Sequence, residues 1–192
     1  MNSDLGLLDK SLATAITNAA NEVASGELNA HFVLDIFQTG SGTSTNMNAN
    51  EVISNRSIQS LGGIIGSRSP VHPNDHVNIG QSSNDVIPTA IHIAGAASIK
   101  DHLIPALEKL RDVMKKKSDD FMPIIKTGRT HLQDATPIRL GQEFYGYVGQ
   151  TEKCIERAQQ AISCLCEVAL GGTAVGTGVN THPDFASRVC DR

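Results

Sequence analysis

The feature that most restricts the fold is a long apolar seam in the second half of the chain. Between Pro137 and Leu170, apolar or small residues recur at alternating four- and three-residue steps without a break. That spacing predicts one long α-helix whose seam packs against nearly parallel helices. Pro137 suits its first turn, and Gly171-Gly172 suits its end. The seam consists of Phe144, Val148, Thr151, Ile155, Ala158, Ile162, Leu165 and Ala169.

The predicted length of this helix indicates an oligomer. About 34 residues at roughly 1.5 Å per residue give about 50 Å. A compact globule of 192 residues has a diameter of about 40 Å. The seam therefore needs partners from other subunits or from chain beyond this sequence, and we expect the protein to self-associate.

The remaining sequence also predicts helices. With 4% aromatic residues and no Trp, the core must consist of Leu, Ile, Val and Ala, which is typical of helix bundles. Strand-type alternation of comparable length does not occur, so the predicted fold class is all-α. The predicted elements are helices at 4–24, 46–61 and 84–117, the last with Pro88 near its start and a kink at Pro105, a glycine-rich loop at 38–45 and an ordered irregular segment at 62–83.

Composition excludes several functional classes. The net charge of −4 argues against nucleic acid or an anionic membrane as the main partner. No secretory signal opens the sequence, and no apolar run approaches the roughly 18–20 residues that span a bilayer. The four cysteines form no C-x-x-C pair, so we expect buried or inert thiols in a reducing compartment. The sequence thus predicts a soluble, cytoplasmic protein.

A first candidate binding segment is the glycine-rich run Gly40-Ser41-Gly42-Thr43-Ser44-Thr45-Asn46, which immediately precedes a predicted helix. Its glycines allow close backbone approach and its hydroxyls donate hydrogen bonds. Free N–H groups at the helix start add partial positive charge, so the segment is suited to bind carboxylate or phosphate. A simple N-cap with a flexible approach is an equally good interpretation. The ending of a P-loop is absent.

Two further segments are polar and ordered. His72-Pro73-Asn74-Asp75-His76 is either a turn or, less well, part of a metal site, and Gln81-Ser82-Ser83-Asn84-Asp85 is an N-cap or a binding turn. The third candidate segment, 128–137, joins the two long helices at one end of the bundle. Its His131 is either an exposed loop residue or a proton-transfer group, since an ordinary imidazole titrates near pH 6.5.

Together these segments resemble the fumarase/aspartase superfamily, and the resemblance covers nearly the whole chain. Five motifs follow one another in the family's order and approximate spacing, which makes chance a poor explanation. They are G-S-G-T-S-T-N-M-N-A-N-E (40–51), H-P-N-D-H-V-N (72–78), Q-S-S-N-D (81–85), G-R-T-H-L-Q-D-A-T-P (128–137) and G-G-T-A-V-G-T-G (171–178).

The details resemble the fumarase branch most closely. Aspartate ammonia-lyases typically carry Gln where this chain has His131, Asn where it has His72, and Thr where it has Ser83. The resemblance therefore implies a lyase that reversibly hydrates fumarate to (S)-malate in the tricarboxylic acid cycle. The alternatives are an aspartate ammonia-lyase and a catalytically inactive helical scaffold. Intact Thr130-His131 and Ser82-Ser83-Asn84 argue against both alternatives.

The resemblance also implies roles for matching residues. His131 is expected to activate or protonate the departing water, while a serine on a mobile loop further along the chain takes the carbon proton. No cofactor and no metal are expected. The His72-Pro73-Asn74-Asp75 turn matches an accessory dicarboxylate site, although Ser69 stands where the family has Arg. The expected substrate-binding residues are Ser41, Gly42, Thr43, Ser82, Ser83, Asn84 and Thr130.

The resemblance finally implies that more chain exists. The family's loop rich in Ser, Met, Pro, Lys and Asn is absent from this sequence, and family members are about twice as long or more. We therefore expect a fragment that is inactive alone, with residues 1–82 from the N-terminal lyase domain and 83–192 from the central helical bundle. Family members are typically homotetramers in which each site uses motifs from three subunits. A fumarase-type bundle assembled from long helices is the expected architecture, in the cytoplasm or, in a eukaryote, the mitochondrial matrix.

Overall fold

The computed structural model describes residues 1–35 and 37–192. Two compact units divide the chain: residues 1–91 with 168–192 form unit 1, and residues 92–167 form unit 2. The elements are α1 Lys10–Ala24, a 3₁₀ turn Asn29–His31, α2 Thr43–Ser60, a π-helical turn Pro73–Val77, α3 Ser83–Ser98, a π-helical segment Ile99–Leu103, α4 Ile104–Phe121, strands β1 Ile125–Thr130 and β2 Gln133–Arg139, α5 Leu140–Leu165 and α6 Phe185–Cys190.

Helix α1 begins later than the apolar spacing predicts. The carboxylate of Asp9 accepts hydrogen bonds from the N–H of Ser11 at 2.8 Å and of Leu12 at 3.3 Å. This N-cap fixes the start at Lys10, because it satisfies amides that a longer helix would place inside. At the other end Gly26 has a φ of +85° and closes the helix as predicted.

Helix α2 begins at Thr43, three residues before the predicted start, and ends close to the predicted stop. Gly62 takes a φ of +76°, and the N–H of Gly63 donates to the carbonyl of Ile58 at 2.9 Å. This is the Schellman arrangement that a glycine after a helix favours. Ile58 is fully buried, so α2 contributes to the core of unit 1.

An ion pair joins α1 to α2. The guanidinium of Arg56 donates through Nε and Nη2 to both carboxylate oxygens of Glu22, and it lowers the pKa of Glu22 below its ordinary value of 4.5. Because the folded pKa is depressed, the stabilisation is present above the unfolded pKa and is lost as pH falls through the folded value.

The Glu22–Arg56 pair predicts a pH-dependent stability difference. We expect Glu22→Gln to lower the thermal unfolding midpoint at pH 6, and the difference from wild type to vanish as pH falls well below 4.5. Thermal unfolding followed by circular dichroism at several pH values measures this. In an Arg56→Gln background the same Glu22→Gln change should produce no pH-dependent difference. A difference that persisted there would contradict the assignment.

The segment after α2 is ordered and irregular, as predicted. The hydroxyl of Ser54 donates to the carbonyl of Val71 at 2.8 Å, and both residues are buried. Pro73 then opens one π-helical turn, in which the N–H of Asn78 donates to the carbonyl of Pro73 at 2.9 Å. A proline tolerates this position because the first N–H groups of a helical turn have no internal partner.

The first predicted long helix is interrupted where its second proline falls. A π-helical segment, Ile99–Leu103, separates α3 from α4, and Pro105 lies in the first turn of α4. Proline cannot donate to the preceding turn and clashes with it, so the helix widens locally. The helix is therefore interrupted next to Pro105, where the sequence predicts a kink, and α4 continues four residues beyond the predicted end at Lys117.

Most of the predicted seam packs within unit 2, where α4 lies against α5. Its last member, Ala169, does not belong to the seam, because it lies beyond the end of α5, in unit 1, and is exposed. The four central residues of the seam are buried, and Phe144, Ile162 and Leu165 are partly buried. The backbones of α4 and α5 also approach closely, as shown by the Ser118 hydroxyl, which donates to the Gly141 carbonyl at 2.7 Å. The buried seam residues are Val148, Thr151, Ile155 and Ala158.

The predicted all-α fold class is confirmed, but the connection before α5 contains two strands that the sequence analysis did not predict. Strands β1 and β2 form an antiparallel hairpin in which Ile125 faces Arg139 and Thr130 faces Gln133. A bulge opposite Gly128 shifts the register by one residue. Residues 133–139 therefore pair as a strand, and the side chain of Gln142 accepts from the Arg139 N–H at 3.0 Å, so α5 starts at Leu140.

Helix α5 is consequently shorter than the sequence predicts. Its 26 residues give about 39 Å at roughly 1.5 Å each, and it ends at Leu165 rather than Leu170. Lys126 on β1 anchors the hairpin to the helix, since its Nζ lies 2.7 Å from Glu143 Oε2 and lowers the pKa of that carboxyl. In the residues described, no helix is both long and apolar enough to cross a bilayer. All four cysteines are free and exposed rather than buried.

Candidate functional site

The glycine-rich run positions hydroxyls at the start of α2. Gly42 is the N-cap with a φ of +70°, and no side chain of residues 1–35 or 37–192 caps the first turn. A Cβ on Gly42 would lie 2.9 Å from Cγ2 of Ile87, so only glycine fits there. The hydroxyls of Ser41 and Thr43 lie 3.0 Å apart and are exposed. Both interpretations of this run fit this arrangement, since Gly42 is an N-cap and the first turn has N–H groups that can bind an anion.

Asn46 connects this run to the second candidate segment. Its Nδ2 donates to the Ser83 hydroxyl at 2.9 Å and approaches Asn78 Oδ1 at 3.4 Å. Asn46 and Ser83 are both buried. The starts of α2 and α3 therefore lie together in unit 1, and the sequence-predicted residues Ser41 to Thr43 and Ser82 to Asn84 share one region.

The start of α3 presents its own donors. Ser82 is the N-cap, and its hydroxyl accepts from the N–H of Asn84 at 3.2 Å. The exposed side chain of Asn84 donates one N–H to the carbonyl of Ala174 at 2.7 Å. Its Oδ1 and its second N–H are thereby held in a fixed orientation, because a primary amide is planar and has two donors.

The fifth motif contributes residues that the sequence prediction omitted. The N–H groups of Gly171 at 3.2 Å and Thr173 at 2.8 Å donate to Oδ2 of Asp85, which is 2% exposed. The motifs Q-S-S-N-D and G-G-T-A-V-G-T-G were both visible in the sequence. An acid at the third helical position and a glycine pair were the available signals, but nothing in the sequence pairs them.

The His72 turn has its own internal bonding. The Asp75 N–H donates to His72 Nδ1 at 3.2 Å, and Asp75 Oδ2 lies 3.3 Å from the same nitrogen. The His72 N–H in turn donates to Nδ1 of His76 at 2.9 Å. Pro73 is buried, whereas Asn74 and Asp75 are exposed. Arg68, one step from the family's arginine position, lies 3.6 Å from Glu51.

In unit 2, Thr130 and His131 lie at the tip of the β1–β2 hairpin. His131 and Leu132 form the two-residue turn, with φ values of +51° and +62°. Such turns favour Asn and Gly, because other residues are strained at positive φ. The side chains of Thr130 and His131 are exposed. A strained, exposed imidazole at the end of a rigid hairpin is a feature that functional sites often show.

Unit 1 offers neutral donors at the starts of α2 and α3, and unit 2 offers the His131 imidazole at the hairpin tip. Serine and threonine hydroxyls, the Asn84 amide and the open start of α2 can hold carboxylate groups. In the described part of the chain, no group of three or more His, Cys, Asp or Glu side chains is arranged to hold a metal ion.

Comparison with a protein-family model places the chain in a class. The model of a lyase family matches residues 1–192. The chain therefore belongs to this lyase family, and its helical fold agrees with that membership.

Relatives within that family include fumarate hydratases. The chain is 59% identical to the class II fumarate hydratase of Nitrosomonas europaea over 98% of its length, and 58% identical to the mitochondrial fumarate hydratase of Homo sapiens over 98%. It spans 41% and 37% of those two proteins.

Solved structures agree. A class II fumarase from Schistosoma mansoni superposes with a TM-score of 0.94 at 46% identity, over 99% of this chain and 40% of that one. A fumarate lyase:delta crystallin from Brucella melitensis gives 0.91 at 42% identity, over 97% and 40%.

Proposed function

We propose that the protein carrying this chain is a fumarate hydratase, which reversibly adds water to fumarate and gives (S)-malate. The observation that carries the proposal is identity of 56–60% to fumarate hydratases over 96–100% of the chain. The donor arrangement at the starts of α2 and α3 supports it. Because the chain spans about two fifths of those relatives, the activity is proposed for the whole protein.

The proposed roles follow from the charge of the substrate. Fumarate is a flat dianion, so its two carboxylates need several donors. Ser41, Gly42, Thr43, Ser82, Ser83, Asn84 and Thr130 supply them. Loss of the proton beside a malate carboxylate pushes charge onto the carboxylate oxygens. Donors already fixed in place stabilise that charge more than the ground state, and this difference accelerates the reaction.

We propose His131 as the group that activates the incoming water or protonates the departing one. The hairpin fixes its backbone, and its side chain is exposed at the tip. General acid–base catalysis of this kind contributes about 10²- to 10⁴-fold. The carbon proton then requires a second group, which the resemblance assigns to a serine further along the whole protein.

The presence of His131 favours hydration over amination, since an aspartate ammonia-lyase typically carries Gln at this position. The inactive-scaffold alternative is disfavoured by the intact donors Thr130, Ser82, Ser83 and Asn84. The names of the two relatives described above agree with this preference, since both are fumarate hydratases.

The proposed activity is tested with the full-length protein. We expect absorbance of fumarate to fall when only water is available, with malate as the product, and no aspartate when ammonia is added. Amination would select the ammonia-lyase, and no reaction with either would select the scaffold. The 192-residue chain alone is expected to be inactive, so normal turnover by it would contradict the fragment interpretation.

Further proposals concern the assembly and the accessory site. We propose a homotetramer in the cytoplasm or mitochondrial matrix, with the domain boundary between residues 82 and 83. We also propose a weak accessory dicarboxylate site at His72, Pro73, Asn74 and Asp75. Arg68 lies beside Glu51 at 3.6 Å, which partly neutralises the charge that a dicarboxylate would need. Neither metal nor cofactor enters the proposed reaction.

A further inference from the structure

We propose that Asp85 is a positioning residue of this site, an inference that rests on the proposed function. Its buried carboxylate holds residues 171–174, and the carbonyl of Ala174 then sets the orientation of the Asn84 amide. Asp85 itself reaches no substrate in this scheme. It acts through Asn84, which is a proposed donor to the substrate.

The two carboxylate oxygens of Asp85 have separate tasks. Oδ1 accepts from the Ser82 N–H at 2.9 Å, which is the local bond of a capping box at the start of α3. Helix capping needs only this oxygen. Oδ2 accepts instead from the N–H groups of Gly171 and Thr173, 86 and 88 residues away in sequence. Helix capping therefore does not account for the hydrogen bonds that Oδ2 accepts.

Burial makes these bonds strong constraints. Asp85 is 2% exposed and Thr173 is 6% exposed, and hydrogen bonds to a charged acceptor contribute more than neutral ones. Thr173 is held at a φ of +58°, which a β-branched residue adopts only when its surroundings impose it. The carboxylate thus holds the backbone of this loop in a conformation that it would otherwise leave.

The next residue transmits this constraint to the site. The carbonyl of Ala174 directly follows Thr173 and accepts from Asn84 Nδ2 at 2.7 Å. Asn84 and Ala174 are exposed, so water would compete for this bond if the loop moved. A small displacement of a fixed donor is costly to catalysis, because its advantage depends on being in place before charge develops.

The test is Asp85→Asn in the full-length protein. The amide has the same shape, but its NH₂ must face either Ser82 or the pair Gly171 and Thr173, so one set of bonds is lost. We expect kcat for fumarate hydration to fall about 10- to 100-fold while KM changes less than about 3-fold. Thr89→Val is the control on the same helix. Among the residues that the structure describes, its buried hydroxyl has no hydrogen-bond partner, so we expect unchanged kcat.

A double-mutant cycle separates positioning from a merely structural role. If Asp85 acts through Asn84, Asp85→Asn should lower kcat less than about 3-fold further in an Asn84→Ala background. If the reductions in kcat of the two single variants multiplied in the double variant, the proposal would be overturned. An Asp85→Asn variant with wild-type kcat would also overturn it.

Amide hydrogen exchange tests the link without activity. In wild type we expect slow exchange at Gly171 and Thr173, and in Asp85→Asn faster exchange at one or both, or at Ser82. Fast exchange at Gly171 and Thr173 in wild type overturns the inference, and this measurement remains available if the variant does not fold. If wild type fails to hydrate fumarate, the proposed function fails, and the exchange result alone decides whether Asp85 holds the loop.

Discussion

Replacing His131 with Asn in the full-length protein is expected to reduce kcat for fumarate hydration by about 10²- to 10⁴-fold, with the fold intact. Asn has no ring nitrogen that can take up and release a proton, whereas an imidazole has two ring nitrogens. It is nevertheless a good residue for this turn, because Asn tolerates the positive φ of +51° observed at His131 better than most residues. The loss should therefore be chemical rather than structural, and circular dichroism should match wild type.

The matched control is Leu132→Asn, which places the same residue at the neighbouring turn position. Leu132 has a φ of +62° and is 94% exposed. Asn should relieve backbone strain there, so we expect kcat near wild type and equal or higher thermal stability. Activity is measured by fumarate absorbance with both variants at equal concentration. Hydration by His131→Asn at the wild-type rate would exclude His131 from the chemistry.

Replacing Gly141 with Ala is expected to cost about 3 kcal/mol of folding stability. A Cβ at this position would lie 2.4 Å from the carbonyl oxygen of Ser118 and 2.7 Å from the backbone nitrogen of Met122. Both neighbours are backbone atoms of α4 or its C-cap and cannot rotate away. The helices must therefore separate, which also breaks the buried bond from the Ser118 hydroxyl.

The control is Gly146→Ala on the same helix, for which we expect a gain in folding stability rather than a loss. Gly146 is exposed, and a Cβ there would meet nothing within 4 Å. Gly146→Ala should stabilise by about 0.5–1 kcal/mol, because alanine loses less backbone entropy in a helix. Denaturant unfolding of both variants gives the two values. Equal and small effects would contradict the close approach of α4 and α5.

The helices were predictable because the apolar periodicity and the positions of glycine and proline agreed. Apolar spacing identified α5, glycines identified the ends of α1 and α2, and Pro105 identified the interruption before α4. The β1–β2 hairpin was missed for a physical reason. Its turn residues are His131 and Leu132 rather than Asn-Gly, and its mostly exposed strands lack the alternation that a half-buried strand shows.

The site was predictable in its parts and less so in its connections. The hydroxyls and amides at the starts of α2 and α3 followed from local sequence and from the family resemblance. The bonds from Asp85 to Gly171 and Thr173 span 86 and 88 residues, and no local pattern specifies such a pair. Distant pairings of this kind depend on the whole topology, so they emerge only when the chain is folded.

Unit 1 is discontinuous in sequence, and this governs when it can be completed during synthesis. The bond between Asp85 and Thr173 can form only after Thr173 has left the ribosome. The two residues are 88 positions apart, and closing a flexible loop of that length costs about 4 kcal/mol in chain entropy. Unit 2 lies wholly inside this loop in sequence, so all of its residues are synthesised before Thr173 and it can fold first. Its first and last residues are already joined, with His92 Nδ1 2.7 Å from the Glu167 carbonyl. Early formation of unit 2 therefore reduces the number of chain conformations that remain to be sampled before Asp85 meets Thr173. The order of synthesis thus favours correct folding of unit 1.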